Sequence, residues 1–174
     1  MTSRTVRLLS LIAAVGFWSA VTDPARAQGI AGEAGALAAA MKDATATLEA
    51  GIKASEREGT PISAKFEIED GKLQLSVYTM KGDVFMEVVA DPKTGAIAKA
   101  EKITDAEDLK AAATQKAAMA KAKMPLLTAA ETVVKGNAGS RAVSIYPELK
   151  NGQATAEVTL LAGGTFKKVT QKLD

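Results

Sequence analysis

The 174-residue chain contains no cysteine and no histidine. Without cysteine there is no disulfide framework, so a domain of this size depends on an ordinary hydrophobic core. Without histidine the chain lacks the usual general base, the Ser–His and Cys–His nucleophile systems, and the commonest ligand for zinc and copper. We therefore interpret the protein as a non-enzyme, and we assign it no catalytic residue, no cofactor and no metal site.

Aromatic residues are also scarce, at 4% of the chain. The single tryptophan, Trp18, lies close to the N-terminus. The aromatic residues beyond position 27 are Phe66, Tyr78, Phe85, Tyr146 and Phe166. The core is therefore predicted to be mainly aliphatic.

The first residues have the pattern of an export signal. Arg4 and Arg7 precede an apolar run over residues 8–21, and Ala25 and Ala27 form a small-x-small cleavage site. The run is about 14 residues long, which is short against the roughly 20 that cross a bilayer. We predict cleavage after Ala27, a periplasmic or secreted product, and no stable membrane span after cleavage.

Removal of residues 1–27 takes away three of the 22 basic residues and one of the 20 acidic residues. The 147 residues that remain carry 19 of each, so their formal net charge is zero. The basic balance of the full chain thus comes from the signal and gives no reason to expect binding to nucleic acid.

The sequence after the signal repeats itself at an offset of 81 residues, without a gap over residues 62–88. Upstream, residues 49–53 match residues 131–135 with one residue of slippage. The matched pairs include Ser63 with Ser144, Glu67 with Glu148, Asp70 with Asn151, Gly71 with Gly152, Val77 with Val158, Gly82 with Gly163, Phe85 with Phe166, and Val88 with Val169. We predict two copies of one structural unit.

Each copy is predicted to be helical first and then to form three strands. Apolar residues at helical spacing form one face in the first copy: Leu37, Met41, Ala44, Leu48 and Ile52. Apolar residues then alternate with polar ones in two strands: Ala64, Phe66 and Ile68, followed by Leu73, Leu75 and Val77. A third strand is predicted at residues 84–90.

Two dipeptides, Asp70-Gly71 and Asn151-Gly152, are typical of two-residue hairpin turns. A type I′ turn needs positive φ at both central residues, which Gly accepts freely and Asp or Asn tolerate. Because the second copy has Asn where the first has Asp, the pattern favours a geometric role for the turn over a chemical one.

The second copy opens with an Ala- and Lys-rich helix over residues 103–123, and Pro125 is expected to break the helical region. Strands are predicted at 142–149, 153–160 and 165–173. Two pairs fit the capping-box pattern at helix starts: Thr104 with Glu107, and Thr128 with Glu131. The sequence thus predicts an α+β chain with units at 28–102 and 103–174, each with helix packed on a three-stranded antiparallel sheet. It leaves open whether the units share one six-stranded sheet, and it leaves open the oligomeric state.

This succession of helix, strand, Asp-Gly hairpin, strand, Gly turn and strand resembles a PepSY domain. The fuller match covers residues 48–97, including Val-Val-Ala-Asp-Pro-Lys-Thr-Gly at 88–95, and a weaker match covers 127–174, where no Thr-Gly follows the third strand. The resemblance implies a helix on a three-stranded sheet in each half of an exported or membrane-associated protein. It also implies inhibition or regulation of a peptidase, and it brings no catalytic residues.

Several groups of residues invite a chemical interpretation, and each has a plainer structural one. Glu67, Glu69 and Asp70 are too few and too widely spaced for a calcium loop, so they are predicted to be a solvated strand face and a turn. Met80, Met86, Met119 and Met124 form no copper-type cluster and are predicted to fill the core, as is Met41.

Charged and glycine-rich segments are interpreted in the same way. The lysines are predicted to be solvated: Lys110, Lys116, Lys121, Lys123, Lys167, Lys168 and Lys172. Residues 136–139 and Gly163-Gly164 match no phosphate-loop motif. The carboxylate pairs Glu56 with Glu58 and Glu67 with Glu69 show no sign of the contrasting environments that catalytic pairs need.

The leading hypothesis is an exported interaction protein that binds a peptidase or another protein of the cell envelope. Strand edges at residues 84–90 or 165–173 are the predicted binding places, because an edge can add an extended peptide as a further strand. The alternative is a periplasmic carrier of a small ligand or metal ion. Its groove would lie between two sheets and would be lined by Leu73, Leu75, Val77 and Phe85.

Overall fold

A computed structural model describes residues 24–174 of the chain. The predicted signal therefore lies almost entirely outside the described residues, and the predicted cut after Ala27 falls in the first turn of the first helix. The elements, in chain order, are α1 Pro24–Ala40, α2 Leu48–Ser55, β1 Thr60–Glu69, β2 Lys72–Lys81, β3 Val84–Ala90, β4 Ile97–Lys102, α3 Ala106–Met119, α4 Leu126–Lys135, β5 Arg141–Lys150, β6 Gln153–Ala162 and β7 Thr165–Lys172. The α+β class predicted from the sequence is confirmed.

All seven strands belong to one antiparallel sheet with the order β4-β3-β2-β1-β5-β6-β7. The first strands of the two halves meet at its centre, where Ala64 pairs with Ile145 and Lys65 pairs with Ser144. Of the two arrangements that the sequence left open, the chain adopts the continuous sheet, with one strand more than the six expected.

The registers of the two hairpins correspond at the offset seen in the sequence. Ala64 pairs with Val77 in β1–β2 and Ile145 pairs with Val158 in β5–β6. Each hairpin has an irregularity at its outer end, between Pro61 and Ser63 and between Ala142 and Ser144. The two turns also agree, because Asp70 and Asn151 have φ of 49° and 52° and each precedes a glycine of positive φ. The predicted turn geometry is confirmed.

The extra strand, β4, follows β3 through a tight turn at residues 91–96. The Asp91 carboxylate accepts hydrogen bonds from the backbone N–H groups of Lys93 and Thr94 and from the Thr94 hydroxyl, at 2.8–3.0 Å. These bonds hold the pKa of Asp91 below its usual range. The third strand of the first unit was predicted to end here, and no strand was predicted in the rest of that unit. Residues 97–102 alternate weakly and have little apolar bulk.

The helix predicted from Leu37 to Ile52 is in fact two helices, α1 and α2. Thr47 caps α2 by accepting a hydrogen bond from the Ala50 N–H at 3.1 Å. The linker between the helices is fixed by Arg141, whose guanidinium donates to three backbone carbonyls there: those of Met41 at 3.2 Å, Ala44 at 2.7 Å and Ala46 at 2.6 Å. Because carbonyls with no helical partner need another donor, this arginine makes the break favourable.

Neither predicted capping box forms. Asp105 caps α3 by accepting from the N–H groups of Glu107 and Asp108. Pro125 separates α3 from α4, as predicted, but it occupies the N-cap position of α4 itself, and Thr128 lies inside the helix. In α3 the residue after the expected cap, Asp105, supplies the acceptor. In α4 the proline's fixed φ starts the helix before Thr128.

Helices cover both faces of the sheet. Leu48 and Ile52 of α2 share the larger core with Val77, whereas Tyr78, the next residue of β2, packs with Ala112 of α3. Since successive side chains of a strand point to opposite faces, α3 lies across the sheet from α2. We call the side that carries α2 and α4 the helix-pair face and the other side the α3 face. Among residues 24–174 there is no helix with the length and apolar character that a membrane span requires.

Candidate functional site: the edges of the sheet

One of the two predicted binding edges is wrong. The strand Val84–Ala90 is not at an edge, because β4 pairs with it from Ala90–Ile97 to Met86–Lys102. The other predicted edge, at 165–173, is correct, since β7 is the last strand of the sheet order. The sheet therefore ends in β4 on one side and in β7 on the other.

The outward backbone groups of β7 follow from one hydrogen bond at its end. The Leu173 N–H donates inward to the Ala154 carbonyl at 3.0 Å. Backbone groups of an antiparallel strand alternate between the two sides, so every second residue back from Leu173 also points to β6. The residues whose N–H and C=O groups point away from the sheet are therefore Phe166, Lys168, Thr170 and Lys172.

The same reasoning applies to the opposite edge. The Ile103 N–H donates inward to the Phe85 carbonyl at 3.0 Å. Alternation then turns the backbone groups of Lys102 and Ala100 outward. Both edges thus present outward backbone N–H and C=O groups, and they differ in their side chains.

Charge distinguishes the two edges. β7 contains three exposed lysines and no acidic residue: Lys167, Lys168 and Lys172. Of these, Lys168 forms an ion pair with Glu157 of β6 at 2.7 Å, and Lys167 donates to the amide oxygen of Asn137 at 3.2 Å. β4 carries two lysines and one glutamate, and of these Lys99 and Glu101 are paired at 2.6 Å.

The acidic group in the first hairpin does not form the solvated face that the sequence predicted. The Glu67 side chain is 15% exposed and forms an ion pair at 2.5 Å with Lys65, which is 11% exposed. Gln74 donates to Glu67, Glu69 and Ser76 at 3.0–3.4 Å. Only Asp70, at the turn, is exposed. The group is a polar network closed on itself.

Burial in and beside this network raises the pKa of two carboxyl groups, those of Glu87 and Glu69. Burial raises the pKa of Glu87 above its usual range, and the nearby negative charge of Glu67 raises it further. Burial, again with Glu67, raises the pKa of Glu69. The Tyr78 hydroxyl donates to Glu87 at 3.5 Å. Within residues 24–174, no three acidic side chains lie close enough together to hold a metal ion.

The other residues considered as candidate sites lie in the core, in turns or on the exposed surface. The methionines pack against the two cores, as expected for core filling: Met41, Met80, Met86, Met119 and Met124. The lysines are exposed except Lys116, which binds Asp83 at 2.7 Å and the Gly82 carbonyl at 3.2 Å. Gly163 and Gly164 form the β6–β7 turn with positive φ, and Gly136 caps α4. Glu56 and Glu58 pair with Lys53 and Arg57 respectively.

The groove expected for a ligand carrier needs two sheets, and residues 24–174 form a single sheet. Leu75 and Val77 are fully buried under α2, and Phe85 belongs to the separate core under α3. A small cavity of 290 Å³ lies where α2 approaches the start of α4, and Ile52, Pro61 and Leu126 are among the residues that line it. Its lining is mainly apolar, with Glu56 and Thr60 as the polar side chains, and we assign it no ligand.

Comparisons with known proteins add little to this description. No family model matches the chain, and no curated protein matches it. Among solved structures, the chain is similar to the crystal structure of a "putative lipoprotein" from Clostridium difficile 630. The identity is 16%, the alignment covers 70% of this chain and 80% of that one, and the TM-score is 0.37. A score this low does not establish a common fold.

Proposed function

We propose that this chain is an exported, non-enzymatic interaction module that binds another protein of the cell envelope at the outer edge of β7. The partner contributes an extended segment that adds to the sheet as an eighth strand. The observation that carries the proposal is the edge of β7, which no strand within residues 24–174 covers. Four alternate residues there turn their backbone donors and acceptors outward.

We further propose that the chain consists of two PepSY-like units that have diverged. The corresponding registers, bulges and turn angles support a repeat, because they place equivalent residues at equivalent positions in both hairpins. By this correspondence β7 is equivalent to β3, since Val88 pairs with Val77 and Val169 pairs with Val158. In the first unit β4 covers β3. The partner strand would occupy the equivalent place in the second unit.

A pair of proline variants tests the proposal. Thr170→Pro removes an outward N–H from β7, and Ala100→Pro removes an outward N–H from β4, while neither removes a bond within the sheet. The mature protein and both variants are immobilised and exposed to envelope extract, and captured proteins are identified by mass spectrometry. We expect a partner that Thr170→Pro loses and Ala100→Pro retains. Equal capture by all three proteins would refute binding at β7.

Two further measurements address the finer parts of the proposal. The resemblance to PepSY domains suggests a peptidase as the partner, so secreted peptidase activity is measured with and without the mature protein. Inhibition that Thr170→Pro abolishes is the expected result. Export is checked by N-terminal sequencing of the protein recovered from outside the cytoplasm, which is expected to begin at Gln28.

A further inference from the structure

The strand that covers β3 indicates what kind of segment such an edge accepts. β4 places the small residue Ala100 beside Val88 on the helix-pair face. On the α3 face, Lys99 and Glu101 of β4 lie beside Val89 and Glu87. The helix-pair face of β4 also carries Ile97, which packs against the larger core, and Lys102, which pairs with Met86. A strand at this position therefore has apolar side chains over the core and charged side chains on the α3 face.

The charge that such a strand meets is reversed at β7. Lys168 occupies the register position that Glu87 occupies in β3, because Glu87 pairs with Tyr78 and Lys168 pairs with Thr159 at the equivalent place. Alternation puts Lys172 on the same face as Lys168. An added strand would thus meet Lys168 and Lys172 on the α3 face, and Val169 with Lys167 on the helix-pair face.

The lysines are only partly neutralised within the chain. Glu157 forms an ion pair with Lys168 alone, and the partner of Lys167 is the neutral amide of Asn137. All three lysines are exposed. A strand with carboxylates opposite Lys168 and Lys172 would therefore gain cross-strand ion pairs, each a modest contribution.

A second copy of the chain is a poor occupant of this edge. Antiparallel pairing of β7 with β7 would bring three lysines of one copy next to three lysines of the other, without an acidic residue in either strand. Like charges that face each other across strands are destabilising, and lysines on edge strands discourage self-association.

We propose that the β7 edge is specific for an acidic extended segment, with carboxylates at alternate positions facing Lys168 and Lys172 and an apolar side chain at the position facing Val169. This inference rests on the proposed function, since it assumes strand addition at β7. It adds the chemical class of the partner segment and its orientation relative to the two faces of the sheet.

The test uses three synthetic peptides of about eight residues, long enough to span β7, that differ only at alternate positions, which carry Glu, Gln or Lys. Binding of the labelled peptides to the mature protein is measured by fluorescence anisotropy at low and physiological salt. We expect the Glu peptide to bind about tenfold more tightly than the Gln peptide, as two cross-strand ion pairs allow. The Lys peptide is expected not to bind.

Variants separate the inference from the proposal beneath it. Thr170→Pro is expected to abolish binding of the Glu peptide, and Ala100→Pro is expected to leave it unchanged. Lys168→Gln with Lys172→Gln is expected to remove the preference for Glu over Gln while binding of the Gln peptide persists. Circular dichroism of each variant confirms that the sheet is intact.

Other outcomes would overturn the inference in distinguishable ways. Equal binding of the Glu and Gln peptides, both lost in Thr170→Pro, would retain strand addition and refute the acidic preference. Binding of the Glu peptide that survives Thr170→Pro would show attraction to lysines without strand addition. Concentration-dependent dimerisation that Thr170→Pro abolishes would identify a second copy as the occupant. If no peptide binds, the acidic preference is refuted, and the capture experiment decides on β7 by itself.

Discussion

The two halves of the sheet have the same strand registers but fill the space above them differently. In the first half, Gly51 of α2 lies over Leu75 of β2, and both are buried. The corresponding residues of the second half, by the matched sequence positions, are Val133 of α4 and Ala156 of β6, also buried. The helix residue is small where the strand residue is large, and the reverse holds in the other half. Each pair thus combines one small and one large buried side chain, and the large one belongs to the strand in the first half and to the helix in the second.

The strongest test of this comparison is a change at Gly51. A Cβ atom at this position would lie 2.3 Å from a methyl carbon of Leu75, so Gly51→Val is expected to destabilise the protein by about 3 kcal/mol through overpacking. Leu75→Ala alone is expected to cost about 2–5 kcal/mol because it leaves a cavity. The double variant reproduces the pair found in the second half and should cost at least about 1 kcal/mol less than the sum. Urea unfolding of all four proteins measures this coupling, and strict additivity would contradict the comparison.

The next largest effect is expected at Arg141, which has no counterpart in the first half, where Thr60 occupies the equivalent register position. Arg141→Ala removes three charged hydrogen bonds to the α1–α2 linker and a stacking contact at 5.6 Å with the Phe66 ring. We expect a loss of about 2–3 kcal/mol and faster amide exchange in the linker. Arg57→Ala, which removes an exposed arginine, serves as the control and should change stability by less than about 0.5 kcal/mol. An equal loss in both variants would show that Arg141 does not fix the linker.

A smaller, pH-dependent difference is expected at Glu87, whose equivalent in the second half is the exposed Lys168. Because the folded-state pKa of Glu87 is raised, the folded state binds the proton more tightly than the unfolded state does. The contribution of protonated Glu87 to the free energy of unfolding is therefore fully present below the ordinary glutamate pKa of 4.5. It is lost as the pH rises through the raised pKa of Glu87 in the folded state. Glu87→Gln should be more stable than the wild type at pH 7 and should have a flatter profile above pH 4.5.

Glu101→Gln is the matched control for this change, since Glu101 faces Glu87 in the adjacent strand and is exposed. Thermal unfolding is measured from acidic to neutral pH for both variants. A profile for Glu87→Gln that stays parallel to that of Glu101→Gln would mean that burial of Glu87 does not contribute to the pH dependence.

The smallest effect is expected at the hairpin turns, which the two halves share. Asp70→Asn and Asn151→Asp each preserve a residue that tolerates positive φ, so each should change stability by less than about 0.5 kcal/mol. Asp70→Val should cost about 1–2 kcal/mol, because a β-branched residue is strained at a φ of 49°. Calcium should not stabilise the wild type in thermal unfolding. A saturable rise in the unfolding temperature with calcium would restore a chemical role for Asp70.

Much of the secondary structure was predictable because local patterns determine it. The period-two alternation located β1, β2, β5 and β6, and the Asp-Gly and Asn-Gly dipeptides located their turns. β4 was missed because all its residues except Ile97 are small or charged, and it forms a strand by pairing with the edge of β3. The break between α1 and α2 was missed for a similar reason, since Arg141, about 100 residues away, supplies the hydrogen bonds that make it favourable.

Of the two strands predicted to form binding edges, one lies at an edge of the sheet and the other does not. Both third strands were recognised, but sequence periodicity does not tell which of them a later segment will cover. The solvated face expected for Glu67 and Glu69 was wrong because the partners that bury them, Lys65 and Gln74, are defined by strand pairing and not by spacing along the chain.

The sequence by itself determined the α+β class, the hairpin turns and the absence of cysteine and histidine chemistry, because these depend on residue type and on contacts between near neighbours. The tertiary structure decided that the two halves share one sheet, that α3 crosses to the opposite face, and that β7 and not β3 is left at an edge. The physical reason is that strand pairing joins residues far apart in the chain. Which backbone groups remain unpaired therefore depends on the whole sheet.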